Sequence, residues 1–273
     1  MSNTATKQVS IEMDNLLKAK LLKGKQTLQL NCDMGESYGI WSLGADQQVM
    51  PFINQANIAC GFHAGDPEVM VKTIQLAMKA GVAIGAHPGY QDKEGFGRRA
   101  MVYSASQIKH LVRYQVGALS GLCALYGAEL SYVKPHGALY NSMMQDVDVF
   151  TAIVKALSTD IQNQQNLALM ILARPNLTAY QEIAKTHHVE LIYEAFADRC
   201  YDEQGLLVSR QLPHAVLTDA DAIIKQVSLL KNKQGIETHQ GKFIPLQVDS
   251  ICVHGDNEAA ITLISTLQQL IND

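Results

Sequence analysis

The amino-acid sequence predicts an α/β protein built as an irregular (β/α) barrel of seven or eight parallel strands. Apolar, β-branched runs alternate with amphipathic helical patterns along most of the chain, as in a parallel sheet covered by helices. Histidine or acidic residues follow the ends of six of these runs. The carboxyl ends of the strands converge on one mouth in a closed barrel, whereas an open sheet spreads them along a crevice. Polar groups at so many strand ends therefore favour the barrel.

The strand candidates are short apolar runs bounded by glycine, proline or polar residues. In chain order they span 28–32, 55–60, 82–86, 130–135, 167–172, 189–196, 206–208 and 249–253. The run Leu206–Val208 is weak because it has only three residues, so the strand count is seven without it and eight with it.

Helical patterns fill most of the gaps between the strand candidates. The clearest of them span 67–81, 104–127, 219–233 and 256–273. Asp66 and Pro67 supply an N-cap and a proline at the first helical position. Ser104 and Gln107 have the spacing of a capping box, and Gly81 suits a helix C-cap. These signals predict where two of the helices begin and where one ends.

We expect one barrel domain over residues 27–273, because no linker-like or low-complexity segment interrupts the alternation. A chain of 273 residues with 47% apolar composition can bury a substantial core. Residues 1–26 precede the first strand candidate. We interpret them as an N-terminal extension, either helical or artificially added.

Composition argues against several classes of function. A net charge of −4 and a pI near 6.1 do not suit a nucleic-acid-binding protein. No apolar run approaches the roughly 20 residues that span a bilayer, so we expect no membrane partner. Five cysteines without a CxxC pair predict free thiols in a reducing compartment, and the N-terminus lacks the apolar core of a signal peptide. We therefore expect a cytoplasmic protein.

The candidate site residues are the polar groups that follow the strand candidates. In chain order they are Asp33 and Glu36; His63 and Asp66; His87, Asp92, Arg98 and Arg99; Lys134 and His136; Asp198 and Arg199; and His254 and Asp256. Lys134 and His136 form the strongest pair, because a lysine at the end of a buried strand is costly unless it is paired or used. For the others, ordinary roles in caps, turns and ion pairs are the alternative.

Two mechanisms fit acids and histidines gathered at one barrel mouth. In the first, a divalent metal ion held by Asp33, His63 and His136 lowers the pKa of a bound water. In the second, a carboxylate or histidine activates water without a metal, and lysine or arginine stabilises the oxyanion. Both act on a carbonyl carbon, and residue spacing does not separate them. The sequence contains no GxxxxGK[ST], GxGxxG or HExxH motif.

Six motifs in register resemble the LamB/YcsF family from about Leu28 to the C-terminus. They are LNCDMGES, NIACGFHAGD, IGAHPGYQDKEGFGRR, KPHGALYN, EAFADRCY and CVHGDNE. The resemblance implies a barrel similar to that of the polysaccharide deacetylases. It also implies a component of an ATP-dependent 5-oxoprolinase, which hydrolyses 5-oxo-L-proline to L-glutamate with ATP as co-substrate and acts with partner subunits B and C.

Within that activity the hypothesis divides the site residues by role. The catalytic candidates are Asp33, His63, Lys134 and His136. The candidates for binding substrate or phosphate are Glu36, His87, Arg98, Asp198, Arg199 and His254. Asp33 or His136 would activate water, and His63 would donate a proton to the departing nitrogen. Two alternatives stay open: a metal-dependent deacetylase or amide hydrolase, and a non-catalytic substrate-binding subunit.

Overall fold

Seven parallel strands form a closed barrel at the centre of the computed structural model, which describes residues 28–158, 167–255 and 258–273. The barrel strands are β1 (Gln29–Met34), β2 (Gln55–Ala59), β3 (Ala83–His87), β4 (Leu130–Val133), β5 (Ala168–Leu172), β6 (Leu191–Phe196) and β9 (Ser250–Val253). From β1 to β6 each strand pairs with the one that follows it, and β9 pairs with both β6 and β1 and so closes the barrel. The predicted barrel is confirmed, with seven strands.

Helices surround this barrel. They are α1 (Asp46–Val49), α2 (Pro67–Ala80), α3 (Ala105–Leu125), α4 (Gly137–Gln145), α5 (Val147–Leu157), α6 (Thr178–Thr186), α7 (Ala220–Lys233) and α8 (Glu258–Asn272). A 3₁₀ helix (Met50–Phe52) follows α1, and a small antiparallel pair, β7 (Gly235–Glu237) and β8 (Phe243–Pro245), lies outside the barrel. None of the helices in the described ranges is long and apolar enough to cross a membrane.

The predicted strand at Leu206–Val208 is wrong. Leu207 makes only an isolated antiparallel bridge to Tyr201. Gly205, at a φ of 77°, closes a tight turn in which the Asp202 carboxylate accepts hydrogen bonds from the backbone of the following residues. The run that follows therefore belongs to a loop between β6 and α7.

The predicted helix signals are confirmed where the structure describes them. Asp66 caps α2 by accepting a hydrogen bond from the Val69 amide, and Gly81 ends that helix in the left-handed conformation. Ser104 and Gln107 form the capping box of α3. The 1–26 extension and Asp256 lie outside the described residues, and the assignment of 27–273 to one domain stays a prediction.

The inner face of the barrel is lined with polar side chains. Ser250 donates to Gln55 Oε1 at 2.7 Å, and Asn31 donates to Ser250 at 2.8 Å. Asn57 then donates to both Asn31 Oδ1 and Asp33 Oδ1 at 2.8 Å. This ladder of hydrogen bonds satisfies the buried polar groups and holds the first site residue, Asp33, at the mouth.

The outer faces of the strands and the inner faces of the helices form the apolar core. Fully buried examples are Ile58 on β2, Ile74 on α2, Val112 on α3 and Ile153 on α5. All five cysteines are free, and four of them are buried. The predicted free thiols are therefore confirmed.

Candidate functional site

Strands β1, β4, β6 and β9 bring a group of charged and polar side chains to the barrel mouth, with Lys134 at its centre. Its Nζ atom lies 3.0 Å from Asp33 Oδ1 and 2.7 Å from Glu194 Oε1. The same nitrogen donates to Asn31 Oδ1 at 3.1 Å and lies 3.2 Å from Cys252 Sγ. Lys134 is only 2% exposed. The lysine is therefore a buried cation held between two carboxylates.

Neighbouring charges set the protonation of this group. Burial opposes ionisation of Asp33, but the positive charges of His87 and Lys134 hold the pKa of its carboxyl well below the usual range. Burial also opposes a charge on Lys134, but its anionic neighbours, Asp33 first among them, hold the pKa of the ammonium well above its usual value. Both groups are charged at neutral pH.

Next to Lys134, the imidazole rings of His87 and His136 lie with one ring nitrogen of each pointing at the other. His87 Nε2 lies 2.9 Å from His136 Nδ1 and 3.2 Å from Asp33 Oδ2. The other nitrogen of each ring contacts a backbone carbonyl: His87 Nδ1 lies 2.7 Å from the oxygen of Lys134, and His136 Nε2 lies 2.8 Å from the oxygen of Phe96. A carbonyl oxygen only accepts hydrogen bonds, so each ring carries a proton on that outer nitrogen. In a neutral ring, the facing nitrogen therefore carries the lone pair, and a second proton on His87 would lie on Nε2, between Asp33 and His136.

His63, which follows β2, lies behind this pair. Its ring stacks on that of His136 with a centroid distance of 3.8 Å and an interplanar angle of 3°. The residue is 1% exposed, and neither ring nitrogen makes a hydrogen bond within the described parts of the chain. Glu36 Oε1 lies 3.9 Å from His63 Nε2 and 3.8 Å from His136 Nδ1.

Burial keeps His63 and His136 neutral. It lowers the pKa of His63 well below its usual value, and the neighbouring imidazoles of His136 and His87 add to the effect. Burial, reinforced by His87, lowers the pKa of His136 to about 3. Neutral imidazole is the form that accepts a proton or binds a metal ion.

On the other side of the mouth, His254 Nδ1 lies 3.0 Å from Asp198 Oδ2. Burial opposes a charge on His254, but the charge of Asp198 and the hydrogen bond to it raise the pKa of the imidazole. Arg199 donates to the carbonyls of Val208 and Ala215, so much of its guanidinium holds the 198–217 loop in place. These residues shape the wall of the site.

Three predicted candidates have local structural roles. Asp66 caps α2 and also accepts from the Gly39 amide. Asp92 pairs with Arg99 in the loop after β3. Arg98, by contrast, lies over the Phe96 ring at 5.1 Å and faces the mouth.

A cavity of about 860 Å³ opens over the charged group. Of the ten residues that the sequence hypothesis gave a catalytic or binding role, nine line it: Asp33, Glu36, His87, Arg98, Lys134, His136, Asp198, Arg199 and His254. His63 is the exception, because it lies behind His136. The volume is within the range of small-molecule sites.

Among the residues that the structure describes, two groups of side chains have donor atoms close enough for a metal ion. The first is Glu36, His63, His87 and His136, and the second is Asp33, Cys252 and His254, with donor atoms within 4.8 Å of one another in each group. The three metal ligands that the sequence hypothesis names therefore fall into different groups: His63 and His136 belong to the first, and Asp33 belongs to the second. In the second group, the Lys134 ammonium already contacts both Asp33 and Cys252, so the first group fits a metal ion better.

Sequence reasoning missed Glu194, which is fully buried on β6 and also accepts a hydrogen bond from Tyr140 at 2.9 Å. An acid inside the apolar run LIYEAF was the available signal. It also missed Arg210, a third arginine beside the cavity, whose loop position has no sequence signature. A buried ammonium, an ionised carboxylate and neutral imidazoles around one cavity suit addition of water to a carbonyl group.

Comparison with protein families identifies the family of this chain. The model of the LamB/YcsF family matches residues 28–273. A protein of Vibrio cholerae, named as the A subunit of 5-oxoprolinase, is 49% identical over 249 residues, covering 91% of this chain and 99% of that protein. A protein of the same name from Vibrio parahaemolyticus is 51% identical over 245 residues, covering 90% of this chain and 96% of its own length.

A solved structure gives the same result at the level of the fold. The crystal structure of a lactam utilization protein from Thermus thermophilus superimposes with a TM-score of 0.81 at 34% identity. The match covers 90% of this chain and 96% of that one.

Proposed function

Because this chain belongs to the LamB/YcsF family, we propose that it is the lactam-opening component of an ATP-dependent 5-oxoprolinase. The reaction is hydrolysis of 5-oxo-L-proline to L-glutamate coupled to hydrolysis of ATP. The names of the relatives, which refer to 5-oxoprolinase and to lactam utilization, support the substrate class. The observation that carries the proposal is the buried Lys134 ammonium between Asp33 and Glu194 under the cavity.

Lys134 is the electrophilic group in this proposal. Its Nζ atom is desolvated and held by ion pairs, so little reorganisation is needed when charge develops on a carbonyl oxygen in the cavity. Phosphorylation of the lactam oxygen by ATP would make the ring carbonyl carbon more electrophilic. Lys134 would then neutralise the oxygen that carries the phosphoryl group.

Asp33 and His136 are the two groups proposed to activate water. Asp33 stays ionised and can accept a hydrogen bond from a water molecule, while the neutral His136 can accept its proton. The water oxygen bonds to the ring carbonyl carbon, the carbon–nitrogen bond breaks, and the nitrogen takes up a proton to become an amine. The carbonyl carbon still carries the phosphorylated oxygen at this point, so a second water molecule must hydrolyse this acyl phosphate to glutamate and inorganic phosphate. The sequence hypothesis names His63 as the donor of the proton to the departing nitrogen. Because His63 lies behind His136 and does not line the cavity, we propose instead that a residue lining the cavity donates this proton.

The remaining predicted residues are proposed to bind the anionic parts of the substrates. Arg98, Arg199 and Arg210 lie around the cavity, and arginine matches carboxylate and phosphate geometry. His87, Glu36 and the Asp198–His254 pair line the walls between them. The volume of about 860 Å³ exceeds what the small ring of 5-oxoproline needs, which supports a site that also holds a phosphoryl group.

Partners and location are also part of the proposal. The relatives are named as one lettered subunit of an enzyme, which supports partner subunits, and we take these to be subunits B and C. ATP binding is assigned to the complex, because the sequence has no phosphate-binding loop. Five free cysteines support a cytoplasmic location.

The test is glutamate release from 5-oxoproline by this chain alone and with subunits B and C, each with and without ATP. The proposal expects turnover only when the partners and ATP are all present. Full turnover by B and C without this chain would contradict it.

The four-donor group of Glu36, His63, His87 and His136 favours a second candidate function, a metal-dependent amide hydrolase. Turnover of an amide by this chain alone, lost on chelation and independent of ATP, would favour it. Full activity of the complex with an Asp33→Ala chain would instead favour the third candidate, a non-catalytic substrate-binding subunit.

A further inference from the structure

The gap between His87 and His136 requires a cation. Both outer nitrogens donate to backbone carbonyls, so the facing His87 Nε2 and His136 Nδ1 atoms, 2.9 Å apart, are both lone-pair nitrogens when the two rings are neutral. Two lone pairs at that distance repel each other unless a proton or a metal ion lies between or beside them. The same outer-shell arrangement, in which a ligating imidazole donates its other N–H to a carbonyl, is typical of metal-bound histidines.

Two further groups converge on this gap. His63 is buried and neither of its ring nitrogens makes a hydrogen bond within the described residues, although its Nε2 atom lies 3.9 Å from Glu36 Oε1. Glu36 Oε1 in turn lies 3.8 Å from His136 Nδ1. A single shared proton would serve His87 and His136, but it would leave the buried His63 imidazole without a partner. A metal ion would use all four groups.

We propose that Glu36, His63, His87 and His136 form a binding site for a divalent transition-metal ion of the zinc class. Three imidazoles and one carboxylate are ligands of Zn²⁺, Co²⁺ and similar ions rather than of Mg²⁺ or Ca²⁺. Donors about 2.0–2.1 Å from an ion lie roughly 3.3 Å apart in a tetrahedron, and these atoms lie within 4.8 Å of one another. Because the rings of His63 and His136 are parallel, one of them turns about its Cβ–Cγ bond when both bind.

Glycines make the room that these rings occupy. A Cβ atom on Gly89 would lie 2.6 Å from His63 Nδ1. A Cβ atom on Gly97 would lie 2.7 Å from His63 Cβ and 2.9 Å from His136 Cδ2. The backbone therefore admits the stacked imidazoles only because both positions are glycine. A metal bound here would polarise a water molecule or a carbonyl oxygen beside Asp33. It would also occupy the lone pair of His136 Nδ1, so Asp33 alone would then accept the proton of that water.

The test measures metal binding directly and needs no lactam, so it is independent of the proposed function. The full chain is stripped with chelator and titrated with Zn²⁺ and with Co²⁺, with the stoichiometry read by elemental analysis and the Co²⁺ site by its visible absorption. The variants are His63→Ala and His136→Ala, and the controls are His254→Gln, in the second donor group, and His110→Asn, exposed on α3. Circular dichroism of each stripped variant reports whether it is folded.

We expect about one ion per chain in the unmodified protein and both controls, with affinity falling about tenfold or more in each ligand variant. Equal affinity in a folded ligand variant would overturn the proposal, because the ion would then lie elsewhere. If the unmodified chain binds neither Zn²⁺ nor Co²⁺, the proposal is also overturned, and this result does not depend on how the variants fold. A proton shared between His87 and His136 would then be the remaining explanation for their close approach.

Discussion

Lys134 forms ion pairs with two carboxylates at the barrel mouth. It follows β4, and its ammonium contacts Asp33 on β1 and Glu194 on β6, the two strands that flank β9. Removing one partner from a buried ion pair leaves an uncompensated charge, which costs more than the pair itself contributes. The barrel mouth therefore depends on this lysine for stability as well as for chemistry.

Lys134→Met should destabilise the protein by about 3–5 kcal/mol, because the methionine keeps the length of the side chain but leaves two carboxylates without their cation. The free energy of unfolding in denaturant measures this. Lys109→Met, on the exposed face of α3, is the matched control and should change stability by no more than about 0.5 kcal/mol. Equal stability of the two variants would show that the buried charges are balanced in another way.

The Asp198–His254 pair predicts a pH-dependent contribution to stability. The folded-state pKa of His254 is raised, mainly by Asp198 against the effect of burial, with Asp33 adding to it and Lys134 opposing. Burial acts to raise the pKa of Asp198, but the charge of His254, the hydrogen bond to it and the charge of Arg210 together lower that pKa. The coupling is therefore present above the ordinary pKa of Asp198, 3.8, and below that of His254, 6.5. It is lost as pH rises through the raised pKa of His254, and again as pH falls through the lowered pKa of Asp198.

A double-mutant cycle with His254→Gln and Asp198→Asn measures this coupling from unfolding curves at several pH values. We expect about 1–3 kcal/mol near pH 5.5 and a decline towards zero at alkaline pH. A coupling energy that grows as pH rises would mean that the pair is held by a neutral hydrogen bond instead.

At the scale of elements, the close approach of β3 and β4 allows a tyrosine of β4 to join the ladder of hydrogen bonds inside the barrel. Tyr132 of β4 lies across Gly85 of β3 and donates to Asn57 Oδ1 at 2.7 Å. A Cβ atom on Gly85 would lie 2.2 Å from Cζ of the tyrosine ring. The pairing of β3 and β4 also shifts register between Ile84 and Gly85. The glycine is thus a packing requirement of the strand pair.

Gly85→Ala should destabilise the barrel by about 1–3 kcal/mol, because the ring of Tyr132 must move and its hydrogen bond to Asn57 is lost. Thermal and denaturant unfolding measure the change. Gly117→Ala is the control: it lies in the interior of α3 with no atom near the new methyl group, and it should stabilise the helix by about 0.5–1 kcal/mol. A neutral effect at Gly85 would mean that the tyrosine ring has room to shift.

At the scale of the whole molecule, strand ends from around a closed barrel supply one cavity, and this much was predictable from sequence. The apolar runs and the polar residue after each of them are local signals, so the barrel and nine of the residues around the cavity could be predicted. The position of His63 behind His136 could not, because it depends on ring stacking between residues 73 positions apart. The pairing of Glu194 with Lys134 joins β6 to the end of β4 and likewise has no local signal. The run Leu206–Val208 was wrongly predicted as a strand because it is apolar and has high β-propensity, but the Asp202 turn before it places it in a loop.

The most direct test of the central claim is glutamate release from 5-oxoproline by the complex with subunits B and C and ATP, comparing the Asp33→Asn chain with the unmodified chain. Asparagine keeps the size of the side chain but removes the charge that pairs with Lys134 and His87. We predict that turnover falls by about a hundredfold or more, while Lys109→Met leaves it unchanged. Turnover by Asp33→Asn equal to that of the control would contradict the claim that lactam opening occurs at this barrel mouth.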